Sequence, residues 1–268
     1  MHPILVHIPT PFGEVPVYSY SVMVLVAYFA ATAYAYFEAR RLGEDPEKVL
    51  DLSFWVFLAS ILGSRLLEVL VNWRRFAPSP LDIFKIWQGG LTYYGGFIAA
   101  ILTCLGFIRF HRLALGKWAD LLAPVAMIAL GFGRIGCFLN GCCYGRPAAG
   151  LPWAVTFPPG ILPVPLDSLP LHPTQLYESL IAFLIAGISY ALERRPHRPG
   201  VVVWTMILLY ALARFFLEFL RLDPRGGIAT LSLSTSQAVA VPLALLSLGA
   251  LAWTFRPRGS KLASSTPA

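Results

Sequence analysis

Seven apolar runs dominate the 268-residue chain, each near the roughly 20 residues that a bilayer crossing takes. They lie near residues 18–37, 50–71, 89–108, 118–139, 175–192, 201–220 and 237–255. A segment in hydrocarbon must satisfy its own backbone hydrogen bonds, so runs of this length read as helices. The expected fold is an all-α integral membrane protein of about seven transmembrane helices, one polytopic domain over residues 1–268. Composition agrees: 57% of the residues are hydrophobic and 13% charged, against about 25% charged in a soluble domain. A soluble enzyme and a disordered chain are both disfavoured. In a chain of this kind the distribution of the basic residues matters more than the net charge of +7; the expected partner is the lipid bilayer and no nucleic acid is expected.

The distribution of basic residues predicts orientation. Twelve fall on the face that carries the loop between spans one and two: Arg40, Arg41, Lys48, Arg109, Arg112, Lys117, Arg194, Arg195, Arg198, Arg256, Arg258 and Lys261. Six fall on the other: Arg74, Arg75, Lys85, Arg146, Arg221 and Arg225. The positive-inside rule makes the richer face cytoplasmic, with the N-terminus outside and a cytoplasmic tail at 256–268. The first 17 residues contain no Lys or Arg, so a cleaved signal peptide is not expected. Residues 141–174 hold eight of the 22 prolines. Proline removes a backbone donor, so this stretch reads as a small irregular periplasmic cap.

Three basic residues remain inside spans: Arg65, Arg134 and Arg214. An arginine in hydrocarbon costs at least ~2.5–3.5 kcal/mol. All three sit about 8–9 Å below the outer boundary of an outward-running span. One reading is snorkelling or internal ion pairing. The other is a single cationic cavity, open outward, for an anionic group. Tyr210, Arg214, Glu218 and Arg221 form one helical stripe at i, i+4, i+8 and i+11, which lets Glu218 orient Arg214. Arg65 and Glu68, at i and i+3, are spaced to pair. Arg134 has no acid near it on its own helix face, Asp120 being fourteen residues away. It needs a partner from elsewhere, and an anionic ligand is the candidate. Arg rather than Lys suits a forked contact to phosphate.

Other polar residues gather at the same end: Tyr18 and Tyr20 open span one; Gln88, Thr92, Tyr93 and Tyr94 open span three; His172, Gln175, Tyr177 and Glu178 open span five. An interfacial aromatic belt accounts for the tyrosines taken singly. The pairs Gly89-Gly90 and Gly95-Gly96 let backbones bend or pack closely, so the entry to span three is expected to be broken.

The run Gly133-Arg134-Ile135-Gly136-Cys137-Phe138-Leu139-Asn140-Gly141 resembles the signature of prolipoprotein diacylglyceryl transferases. So do Ile86-Trp87-Gln88-Gly89-Gly90-Leu91 with Gly95-Gly96, His172-Pro173-Thr174-Gln175-Leu176-Tyr177-Glu178, and Tyr210-Ala211-Leu212-Ala213-Arg214 with Glu218 and Arg221. Tyr20 and Gly63-Ser64-Arg65 sit at family-like positions. The resemblance implies transfer of a diacylglyceryl group from phosphatidylglycerol to the lipobox cysteine thiol of preprolipoproteins, with glycerol phosphate leaving. It implies no cofactor, and it implies residence in the bacterial inner membrane with the active site near the periplasmic side. On this resemblance Arg134, Arg214 and Tyr94 are expected to be catalytic. Arg134, Arg214, Tyr20, Arg65, Asn140, Tyr210, Glu218, Arg221, His172 and Gln175 are expected to bind phosphatidylglycerol. The chain departs from the family pattern at Cys137, commonly Asn, at Cys142, commonly Glu, and at Tyr94, where many members have His. These departures leave the proton acceptor open and leave room for a paralogue with another acceptor. The rival class is a transporter or flippase for an anionic lipid. That class calls for polar residues through both membrane halves and inverted repeats; here the inner halves read as apolar and no repeat is visible.

Cys104 reads as a small core hydrophobe. Cys137, Cys142 and Cys143 fall within seven residues at the outer end of span four. Zinc would need a fourth ligand, and His172 is a distant candidate, so no metal is expected. Packed thiols are one reading. A bond from Cys137 to Cys142 or Cys143 is the other, in an oxidising outer compartment. It is reachable if Gly141 turns the chain back to within about 7 Å, and it would support cap order.

Overall fold

The computed structural model describes residues 2–10, 13–86, 89–162, 166–222, 227–228 and 233–256. In chain order the elements are β1 (Ile4–Thr10), β2 (Gly13–Tyr18), α1 (Ser19–Arg41), α2 (Pro46–Val71), α3 (Trp73–Phe76), α4 (Tyr93–Phe110), α5 (Leu115–Asn140), α6 (Thr174–Glu193), α7 (Val201–Leu217), β3 (Gly227–Ile228), β4 (Leu233–Ser234) and α8 (Thr235–Phe255). All seven expected spans are helices long and apolar enough to cross a membrane, α7 continuing as a 3-10 turn to Leu220. The chain is a multi-pass membrane protein. The tail at 257–268, Arg225 and the Trp87-Gln88 step of the family-like motif lie outside the described residues.

Local chemistry explains where the helices begin. Asp45 accepts a hydrogen bond from the Glu47 amide at 3.1 Å and Pro46 follows it, so α2 starts four residues earlier than its apolar run. Gly89 and Gly90 both take left-handed backbone angles, φ 82° and 74°. That breaks the entry to span three, and α4 starts at Tyr93 rather than at residue 89. Ser234 and Gln237 form a reciprocal capping box for α8. Before α1 lies an antiparallel hairpin, an element that the apolar runs do not predict. It pairs Val6 with Val17 and Ile8 with Val15, β-branched residues that favour extended backbone.

α5 is the central post, packing on α1, α6 and α7, while α2 packs on α4 and α7 on α8. The α2–α4 crossing is tight because Gly63 faces Gly95: a Cβ on Gly95 would lie 2.2 Å from the Gly63 carbonyl oxygen. One core cluster joins Ala35, Ala39, Leu52, Phe107, Trp118 and Leu121. A second joins Ala123, Met127, Ile185, Ala186, Val202 and Met206. The start of α1 and the hairpin, the ends of α2, α5 and α7, and the starts of α4, α6 and α8 share one face, here the hairpin face.

The opposite face is more polar than its apolar runs suggest. Buried Glu38, Asp120 and Glu193 lie there, at helix ends. Asp120 of α5 caps a different helix. Its Oδ2 accepts from the Gly200 amide at 2.6 Å and its Oδ1 from the Val203 amide at 2.8 Å, at the start of α7. Helix starts leave amides unpaired, and burying them unpaired is costly. Asp120→Ala is therefore expected to destabilise the bundle by about 1–3 kcal/mol, the scale of stranded buried donors. Thermal unfolding in detergent micelles reads this out, and an unchanged midpoint would contradict the cap.

Residues 141–162 and 166–174 fold back on the hairpin face. Val155 and Leu171 exchange backbone hydrogen bonds at 3.0 Å, and the Arg146 amide donates to the Leu220 carbonyl at 2.8 Å. Phe157, Leu162 and Leu171 form a small core of their own.

Candidate functional site

The site is built on Glu178, which is fully buried in the second turn of α6. A buried carboxylate persists only when paired. Arg134 of α5 reaches Oε1 with Nη2 at 3.0 Å. The Tyr210 hydroxyl of α7 donates to the same oxygen at 2.9 Å. Arg221, just past α7, reaches Oε2 with Nη1 at 3.4 Å. Three chain segments meet on one carboxylate, near the hairpin face. Arg134 thus has the cross-helix partner that its own helix lacks.

Arg214 lies one helical turn beyond Tyr210. Its Nη2 pairs with Glu218 Oε2 at 2.7 Å, as the i, i+4 spacing predicts, and donates to Ser236 Oγ of α8 at 3.0 Å. Around this centre stand three guanidinium groups, Arg134, Arg214 and Arg221, against two carboxylates, Glu178 and Glu218. Two guanidinium donors, Arg134 Nε and Arg214 Nη1, are buried with no hydrogen-bond partner among the described residues. Each such donor costs about 1–3 kcal/mol, more when charged. A surplus of positive charge and two orphan donors are what an anionic oxygen would satisfy.

Arg65 is buried apart from this centre. Its Nε donates to the Ile83 carbonyl at 2.9 Å and its Nη1 to those of Gly89 and Gly90 at 2.7 and 3.0 Å. Its Nη2 donates to the carbonyls of Asp82 and Lys85 at 2.5 and 3.3 Å. Its donors are thus committed to the main chain between α3 and α4. The expected pair with Glu68 is not made: Glu68 accepts instead from Thr92 Oγ1 at 2.7 Å and Asn72 Nδ2 at 2.9 Å. The spacing permitted the pair, but irregular backbone offered Arg65 several carbonyls in fork geometry.

Gln175 is fully buried, and its Nε2 donates to the Cys142 carbonyl at 2.7 Å. His172 Nδ1 lies 3.4 Å from the Tyr177 hydroxyl, which also accepts from Trp153 Nε1 at 2.7 Å. Both residues hold the segment after α5 in place, and the hydrogen bonds of their side chains go to Cys142 and Tyr177 rather than to Arg134 or Arg214. Asn140 is exposed at the end of α5. Tyr20 lies within electrostatic reach of Arg134, Cys137 and Cys142. Tyr93 lies within reach of Arg134, Glu178 and Cys137. Tyr94 is 58% exposed, and its ring stands edge-on to Tyr93 at 5.8 Å. Tyr93 was legible only as part of a polar entry.

No disulfide joins the cysteines. The expected bond from Cys137 to Cys142 or Cys143 is replaced by three thiols, whose sulfurs all lie within 4.8 Å of one another. Cys142 Sγ points at the Cys137 carbonyl, 3.6 Å away, rather than bonding to the Cys137 sulfur. Hydrogen bonds from Cys137 and Cys142 hold the Cys143 thiol well below the ordinary cysteine range; burial opposes this, and Arg221 and Arg134 assist it.

The hub residue, Glu178, was named from sequence among the polar groups and in the family-like run from His172, but not as the partner of Arg134. A signal was present: Gln175, Glu178, Ser179, Ala182 and Ala186 recur at helical spacing and are buried, so Glu178 shares the face that packs on α5.

Residues 3–253 match the family model described as prolipoprotein diacylglyceryl transferase. Relatives named phosphatidylglycerol–prolipoprotein diacylglyceryl transferase align along most of both chains. The one from Idiomarina loihiensis is 35% identical over 254 residues, 92% of this chain and 90% of its own. The one from Chromohalobacter salexigens is 35% identical over 248 residues, 91% and 90%. The one from Rhodospirillum rubrum is 34% identical over 218 residues, 80% and 77%.

Proposed function

Because the chain belongs to the prolipoprotein diacylglyceryl transferase family, we propose that it transfers the diacylglyceryl group of phosphatidylglycerol to the lipobox cysteine of a preprolipoprotein signal peptide. The observation that carries the reading is the pair of buried guanidinium donors, Arg134 Nε and Arg214 Nη1, beside the Glu178 centre. In the reaction the cysteine sulfur attacks the diacylglycerol carbon that bears the phosphate. A carbon–sulfur bond forms, the carbon–oxygen bond breaks, and the thiol proton is given up. The phosphodiester, with one negative charge, becomes glycerol phosphate with close to two. Guanidiniums fixed beforehand by Glu178 and Glu218 favour that gain of charge without rearranging. The hairpin face is the outer, periplasmic face of the inner membrane in this reading, which brings the phosphate to headgroup depth and the acceptor thiol to the same side.

Tyr94 is the proposed proton acceptor or hydrogen-bond donor to the reacting groups. Tyr94→Phe is expected to lower turnover by at least ~10²-fold, the lower end of general acid–base contributions, measured as initial rate against pH. An unchanged rate and pH profile would move the role to another group, with Tyr93 first.

The activity is tested by following glycerol phosphate released from phosphatidylglycerol vesicles that contain the reconstituted chain. Release is expected only with a lipobox peptide whose cysteine is intact. Release that is equal with a serine peptide, or no release beside an active family member, overturns the reading. Transport is disfavoured because Asp120, a buried acid of the opposite face, is committed to the amides that open α7.

A further inference from the structure

Beyond the transferase reading, and independent of it, stands the thiol cluster. We propose that Cys137, Cys142 and Cys143 form a three-thiolate binding site for monovalent copper, a soft d10 metal ion that three sulfurs alone satisfy. Sequence spacing argued against a metal because a tetrahedral zinc site wants a fourth ligand. The structure changes the terms of that argument. The three Sγ atoms all lie within 4.8 Å of one another, and among the described residues no His, Asp or Glu belongs to the group. His172, the one candidate, has its Nδ1 3.4 Å from the Tyr177 hydroxyl. Soft thiolates select copper(I) and zinc over hard ions, and copper(I) is stable with three ligands.

The cluster is held convergent by its surroundings. Cys137 sits in the last turn of α5, which Gly141 ends with a left-handed φ of 78°. The Cys142 amide returns to the Cys137 carbonyl at 3.1 Å. Cys143 itself is left-handed, φ 66°, an unfavourable conformation for a residue with a side chain. Two buried side chains of α6 then fix the peptide: Gln175 Nε2 donates to the Cys142 carbonyl at 2.7 Å and Thr174 Oγ1 to the Cys143 carbonyl at 2.9 Å. Ligands pinned before the ion arrives lose little entropy on binding it.

Binding breaks three S–H bonds, forms three Cu–S bonds and releases three protons to solvent; nothing is oxidised or reduced. The product carries one positive charge against three negative ones. Arg221 and Arg134 lie within electrostatic reach of Cys143 and offset that excess. The ion would clip the end of the Arg134 helix to the start of the loop that follows it.

The test uses the full chain in detergent, reduced and kept under argon, titrated with copper(I) against a chromogenic copper(I) chelator. The expected results are one copper per chain and an X-ray absorption spectrum with sulfur neighbours only. Cys137→Ser, Cys142→Ser and Cys143→Ser should each weaken binding at least ~100-fold, beyond the usual loss of a supporting group. Cys104→Ser should leave binding unchanged. The absorption spectrum of the unmutated chain judges the site even if a serine variant fails to fold. Failure to compete with the chelator, nitrogen or oxygen neighbours only, or equal binding by the triple-serine chain would each overturn the proposal. So would a Cys137 disulfide in the unreduced chain combined with no copper uptake after reduction.

Discussion

In the reconstituted chain, Arg134→Ala is expected to lower kcat/KM by ~30- to 1000-fold, the equivalent of about 2–4 kcal/mol for one preorganised donor at a developing charge. Two things go at once. The orphan Nε is lost as a donor to the phosphate, and Glu178 loses its 3.0 Å partner. Arg134→Lys should recover only part of the rate, because a single ammonium cannot hold Glu178 and a phosphate oxygen together in fork geometry. Arg214→Ala should fall in the same range, since Arg214 also combines an ion pair with an orphan donor. Initial rates with phosphatidylglycerol vesicles measure both. Near-normal turnover in both alanine variants, with normal yield of folded protein, would sink the phosphate-clamp account.

The largest effect on stability is expected at Glu178. Glu178→Ala takes from Arg134, Arg221 and the Tyr210 hydroxyl the one carboxylate that they share in a buried place. Breaking a buried pair in this way costs about 3–5 kcal/mol, and here two cations lose the same anion. The thermal midpoint in detergent should drop sharply and activity should vanish. Glu178→Gln keeps the volume and one acceptor oxygen but removes the charge. It should fold better than the alanine variant and remain well below the parent in rate. A Glu178→Ala chain as stable and active as the parent would mean that the three-segment junction contributes nothing.

The bundle was legible in the sequence because hydrophobic length is a one-dimensional signal: seven apolar runs became seven helices. Pairings within one helix were half legible. Arg214 with Glu218 formed as spaced, while Arg65 turned from Glu68 to five carbonyls supplied by the irregular chain between α3 and α4. Pairings between helices were not legible. Arg134 was seen to need a partner, but nothing in a linear chain says that α6 packs on α5 with Glu178 facing it. The β1–β2 hairpin was missed for a related reason. Its strands are short, and its stability comes from pairing between them rather than from a long apolar run. The cysteine cluster was seen as a neighbourhood, but its convergence depends on the backbone turn at Gly141 and Cys143.

The most direct test of the central claim is the intact mass of a synthetic lipobox peptide after incubation with the purified chain and phosphatidylglycerol of a single acyl composition. The account predicts a gain equal to that diacylglyceryl group, located on the cysteine by fragmentation, absent with phosphatidylethanolamine vesicles and strongly reduced with Arg134→Ala. No mass gain with several lipobox peptides, under conditions in which an active family member modifies them, would contradict it.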